Sequence, residues 1–108
     1  MAQNFRRYTS NDVGTGAATI FTADSFDTVV GISLANITTS TVEASVYIND
    51  GSNDIYLVKD APIAAGGSLQ VLDGGAKFVV HSGDALKVIS DTASSLDVWV
   101  SAVDAIST

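Results

Sequence analysis

The chain has no cysteine, one proline, one histidine, one methionine and one tryptophan in 108 residues. Without cysteine there is no disulfide framework, no thiolate metal site and no cysteine nucleophile. One proline means that the backbone is punctuated by other residues. Cations are also few: five Lys and Arg stand against twelve Asp and Glu, for a net charge of −7. Such a balance makes nucleic acid an unsuitable partner. No apolar run approaches the roughly 20 residues that cross a bilayer as a helix, so no membrane partner is expected. After Arg6 and Arg7 the sequence turns polar at Thr9-Ser10-Asn11-Asp12. Neither a secretory nor a twin-arginine signal is therefore expected.

What is present is apolar and short-ranged. Hydrophobic residues make up 46% and charged residues 16%, below the usual fraction of about 25%. Mean hydropathy is +0.31. This composition folds rather than staying disordered, and the length is that of one domain.

Turn-forming clusters recur along the chain, among them Asn11–Gly16, Asp24–Asp27, Asn36–Ser40, Asn49–Asp54, Asp60-Ala61-Pro62, Asp73-Gly74-Gly75, Ser82-Gly83-Asp84 and Asp91–Ser95. Between them lie β-branched and aromatic runs. Thr41–Asn49 alternates Val42, Ala44, Val46 and Ile48 with Glu43, Ser45, Tyr47 and Asn49, the period of a strand with one buried face. Nine strands are expected, near 5–9, 17–23, 28–36, 41–49, 54–59, 68–73, 76–81, 85–90 and 96–104. Hairpins are expected at Asp50-Gly51 and at Asp73-Gly74-Gly75, and Pro62 is expected in a loop after Lys59. The fold class is all-β: an antiparallel β-sandwich, jelly-roll or immunoglobulin-like, or a small barrel. Residues 11–108 form this domain, and residues 1–10 form an N-terminal arm or an edge strand.

Some strands are apolar on both sides. Leu96–Asp104 sets Leu96, Val98, Val100 and Ala102 on one face, with Trp99 and Val103 beside Asp97 and Ser101 on the other. Ile55–Lys59 divides in the same way. The surplus is covered by loops, by barrel closure, or by another subunit or partner.

The search for chemistry is nearly empty. His81 adjoins Ser82-Gly83-Asp84, but residues of one turn do not adopt the geometry of a Ser-His-Asp triad. The acids are dispersed among turns. Asn49–Asp54 has the composition of a calcium loop, yet its glycine comes third and no glutamate follows at the ligand spacing. Gly66-Gly67 and Gly74-Gly75 lack the Lys-Ser/Thr of a phosphate loop. No catalytic residue, metal or cofactor is expected.

Charge is unevenly placed. Arg6 and Arg7 give residues 1–10 a charge of +2, while the rest of the chain carries −9. Phe5, Arg6, Arg7 and Tyr8 are of the types enriched at interface hot spots, as are Tyr47, Tyr56 and Trp99. These seven are the candidate partner-binding residues. A free arm would make residues 1–8 removable without loss of the fold.

The segments Asn4-Phe5-Arg6-Arg7-Tyr8-Thr9-Ser10, Ile48-Asn49-Asp50-Gly51, Tyr56–Ile63, Ser82–Val88 and Val98–Val103 together resemble small structural proteins of tailed bacteriophages, especially cyanophages. The resemblance implies a noncatalytic virion component, first of all a head decoration (cement) protein. Such a protein binds the major capsid protein or other virion proteins and forms a homo-oligomer, often a trimer. A neck, tail or fibre protein with a receptor- or carbohydrate-binding role is the alternative.

Overall fold

The computed structural model describes residues 4–23, 27–72 and 78–104. Nine strands occur among them: β1 (Asn4–Val13), β2 (Ala18–Thr22), β3 (Asp27–Asn36), β4 (Val42–Asn49), β5 (Asp54–Ile63), β6 (Ser68–Leu72), β7 (Phe78–Val80), β8 (Ala85–Ser90) and β9 (Leu96–Asp104). Seven lie within two residues of the expected runs, because the short β-branched stretches between turn clusters have no competing helical period; β1 and β5 each run four residues further than expected, through Val13 and Ile63.

All pairings are antiparallel and fall into two sheets. One has the order β1-β9-β3-β6, with β7 also pairing β3; the other has the order β2-β8-β4-β5. With β6 and β7 taken as one interrupted strand, these are the two four-stranded sheets of a jelly roll. The sandwich is thus of jelly-roll rather than immunoglobulin type, and among the described residues no pairing joins the two sheets into a barrel.

The core lies between the sheets. Val29, Ile32 and Leu34 of β3 meet Val42, Ala44 and Val46 of β4, Leu86 and Val88 of β8, and Leu96, Val98 and Val100 of β9. The alternation of β4 places each of its even-numbered apolar residues in this core.

Two turn expectations are corrected. β6 and β7 do not form a hairpin around Asp73-Gly74-Gly75: both run antiparallel to β3, so they share one direction along its edge. Burial of Val29, Ile32 and Leu34 fixes register on that side of β3, which outweighs a local Asp-Gly signal. Residues 73–77 themselves, and residues 24–26 of the turn expected at Asp24–Asp27, lie outside the described residues, while Asp27 is the first residue of β3 rather than part of a turn. Pro62 lies in strand β5 opposite Glu43, not in a loop. β5 is an edge strand, and on its open side a missing N–H breaks no ladder bond. The Asp50-Gly51 hairpin does form, as a four-residue loop between paired Asn49 and Asp54, with Gly51 at φ 99°.

Polar side chains lock the loops. Buried Asn36 donates through Nδ2 to the carbonyls of Ser40 (2.8 Å) and Ile63 (3.0 Å), and its Oδ1 accepts from the Thr38 N–H (2.9 Å). At the β8–β9 turn, Ser90 and Ser95 share a 2.6 Å hydroxyl contact, and the Ser95 N–H donates to the Val13 carbonyl at 3.0 Å. Gly14 crosses this turn so closely that a Cβ there would meet Ser94 N at 3.0 Å and Ala93 Cα at 3.1 Å.

Candidate interaction surfaces

Stacking of the sheets sets β1 beside β2 on one flank and β5 beside β6 on the other. The candidate residues divide between these flanks and the outer face of the β1-β9-β3 sheet.

Residues 4–10 run in β1, paired with β9 from Asn4↔Asp104 to Ser10↔Val98. Alternation sends Tyr8 inward, where it packs on the core and stacks on Phe21 with ring centres 4.3 Å apart. Removing residues 1–8 would therefore strip most of a strand and expose the core behind Tyr8, contrary to the expectation for a free arm. Phe5 and Arg7 point outward, and Phe5 is 86% exposed. Arg6 is also exposed. An extra residue between Ser10 and Val13 bulges the strand, with Asp12 at φ 55°.

On the outer face, register brings Thr9, Trp99 and Ser33 side by side. Trp99 is 51% exposed. The Arg7 guanidinium lies 5.4 Å from its ring centre, and the indole N–H donates to Ser101 Oγ at 3.3 Å. Both partners lie on the Ser101 side of Trp99. On the other side, toward Asp97, a groove of about 380 Å³ opens among Thr9, Ser10, Asn11, Ser33, Asp97 and Trp99.

The opposite flank is bordered by β5. Val46↔Val58 and Tyr47↔Tyr56 leave Leu57 as an extra residue, and a second irregularity precedes Ala61, with Asp60 at φ 52°. The Asp60 N–H donates to Ser45 Oγ at 2.9 Å, which holds that turn of backbone in place. The bulge at Leu57 breaks the alternation of the run, and Ile55 (53%), Tyr56 (43%) and Leu57 (36%) are all exposed. Tyr47 is 8% exposed and sits on the outer side of β4, its ring 5.0 Å from Tyr56. Burial, then the Asp54 carboxylate, then Tyr56 push the Tyr47 hydroxyl above its ordinary pKa. Lys59 Nζ lies 5.1 Å from the Tyr56 ring centre.

The Asn49–Asp54 loop spends its oxygens on its own backbone. Asp50 Oδ1 accepts from Ser52 N (3.0 Å) and Asn53 N (2.8 Å), and Asn49 Oδ1 accepts from Gly51 N (2.9 Å). The Asn53 N–H, with that of Ser52, holds the Asp50 carboxyl below the usual aspartate range. Exposed His81 follows β7, and its N–H donates to Asp84 Oδ2 at 2.9 Å in a tight turn. Among the described residues no three His, Asp or Glu side chains gather as metal ligands would.

Sequence reasoning selected Tyr56 but passed over Ile55 and Leu57. A run of apolar residues on both faces, Ile55–Val58, followed within four residues by Pro62, was the available signal. Proline marks an edge, and an edge strand has one less neighbour to bury such a run.

No family model matches the chain, and no curated relative does. Solved structures of similar fold do exist. A chain of the acid-stable capsid of Helicobacter pylori bacteriophage KHP30 superposes with a TM-score of 0.61 at 14% identity, covering 95% of this chain and 87% of that one. A subunit of Bacillus endospore appendages, which are disulfide-linked pili, gives 0.56 at 17% identity, covering 94% and 84%. A pentameric capsid protein from metagenomic phage sequences gives 0.53 at 20% identity, covering 94% and 62%. At these identities the likeness is one of fold. The present chain has no cysteine with which to link as the pili do.

Proposed function

We propose that this chain is a noncatalytic structural protein of a bacteriophage virion, acting as a head decoration protein that binds the major capsid protein as a homo-oligomer, with three copies as the expected number. The observation that carries this reading is the likeness of nearly the whole jelly roll to two phage capsid proteins. The exposed residues Phe5, Arg6, Arg7, Tyr56 and Trp99 would make the partner contacts. Tyr8 and Tyr47 would hold them in place from behind, through Phe21 and Tyr56. Many copies on one shell make each later contact effectively intramolecular, so modest pairwise affinity suffices. Purified chain mixed with phage heads that lack it should co-sediment to a saturating stoichiometry and raise the temperature at which the shells open. Heads that sediment without it at micromolar concentration would contradict the reading.

The groove beside Trp99 favours a second reading, a carbohydrate-binding role on a tail or fibre. An indole wall with hydroxyl, amide and carboxylate groups around it suits the apolar face and polar rim of a sugar ring. Trp99 is the one tryptophan in the chain, so its fluorescence reports this site directly. Titration with a panel of glycosides should shift the emission, and Trp99→Ala should abolish retention on a glycan array. An unchanged spectrum throughout would dismiss this reading.

A further inference from the structure

The two flanks of the sandwich are opposite in charge and alike in carrying exposed apolar side chains. On the β1 flank, Arg6 and Arg7 outnumber the single acid of the strand, Asp12, and β2 carries no charged residue. Phe5 and Arg7 stand on the outer-face side of that edge strand, with Phe5 in solvent. On the β5 flank, the strand and the loop before it carry Asp50, Asp54 and Asp60 against one cation, Lys59, and the apolar group is Ile55-Tyr56-Leu57. Contact of like flanks would set arginines on arginines, or carboxylates on carboxylates. Contact of unlike flanks pairs them, and such like-charge penalties are what fix register and partner at an interface.

We propose that copies of this chain associate head to tail, the Phe5-Arg6-Arg7 edge of one against the Asp54–Leu57 edge of the next. Side chains make the joint. Bulges at Leu57 and before Ala61 interrupt the free backbone groups of β5, and another near Asp12 interrupts those of β1, so no long intermolecular ladder forms. Each edge strand has ten residues and is about 33 Å long, room enough for the roughly 800 Å² per partner that specific interfaces bury. A contact between two different patches is heterologous, and it grows until a ring closes or a filament runs on. The inference deepens the homo-oligomer part of the proposed function and rests on it. Attachment to heads is a separate matter, because the test uses the purified chain alone.

Native mass spectrometry and sedimentation velocity should show the wild type as an oligomer that weakens as salt rises toward 1 M. Two variants are then compared, R6E/R7E, which disables the β1 flank, and I55D/L57D, which disables the β5 flank. Each should be monomeric with a wild-type circular dichroism spectrum. Their equimolar mixture should give a 1:1 heterodimer and nothing larger, since one intact flank remains on each. Oligomers that persist in either variant, or a mixture that stays monomeric, would overturn the proposal. So would a wild type whose association is indifferent to salt or absent at hundreds of micromolar, readouts that need no variant to fold. A wild-type chain that binds heads but does not self-associate would overturn the head-to-tail contact and leave the virion reading standing.

Discussion

Strands β4 and β5 are the two halves of one hairpin, similar in apolar content, yet one is buried and the other is not. β4 lies between β8 and β5, and its even-numbered side chains enter the core without interruption. β5 has a neighbour on one side only, and it is bulged twice. Its apolar residues therefore stay at the surface, with Ile63 alone fully buried and Val58 packed on the core. The contrast teaches that apolar content states how much a segment has to bury, whereas strand position and register decide whether its own domain does the burying. What β5 leaves uncovered is available to another molecule.

The largest loss of stability is expected in the interior. Leu34 of β3 is wholly buried against this core, so Leu34→Ala should cost about 2–5 kcal/mol, read by denaturant unfolding. A smaller effect is expected where backbone approaches backbone. Gly14→Ala forces apart the β1–β2 and β8–β9 connections, and it should cost roughly 1–3 kcal/mol by the same measurement, in line with other overpacked sites. On β5 the expectation reverses. I55D/L57D should change stability by about 0.5 kcal/mol or less, the usual range for exposed positions, while abolishing self-association. An unfolding midpoint that drops as far as that of Leu34→Ala would show that β5 belongs to the core after all.

The smallest effect concerns the boundary between the two strands. Tyr47 has a raised pKa, so its neutral form is the one the fold favours. Its contribution to stability is complete below the ordinary tyrosine value of about 10 and is lost as pH rises through the higher folded value. Alkaline titration followed by phenolate absorbance should show one of the three tyrosines ionising late, and Tyr47→Phe should remove that phase. Three tyrosines titrating together would show that Tyr47 is open to water.

Much of this fold was legible in the sequence, because strand formation here is local. Turn clusters bound most strands, although Asp60-Ala61-Pro62 falls inside β5 and Asn11-Asp12 inside β1, and strict alternation in Thr41–Asn49 and Leu96–Asp104 assigned the faces correctly, including Trp99 outward and Val98 inward. What was not legible depends on partners distant in sequence. The bulges at Leu57 and Asp12 exist only relative to β4 and β9, so the loss of alternation in Ile55-Tyr56-Leu57 had no local marker. The sharing of one side of β3 by β6 and β7 is likewise a matter of register, which an Asp-Gly dipeptide does not encode. For the interaction surface, composition pointed to Phe5, Arg6 and Arg7. It did not reveal that Tyr8 is occupied by Phe21, or that Arg7 lies over Trp99.

In the assembled state, neighbours are expected to cover the exposed edges. Amide hydrogen exchange, measured on the free chain at low concentration and again on particles carrying it, tests this strand by strand. The expected result is added protection in β5 across residues 54–60 and in β1 across residues 5–9, with β4 and β8 slow and unchanged in both states. Identical exchange of β1 and β5 in the two states would contradict the account.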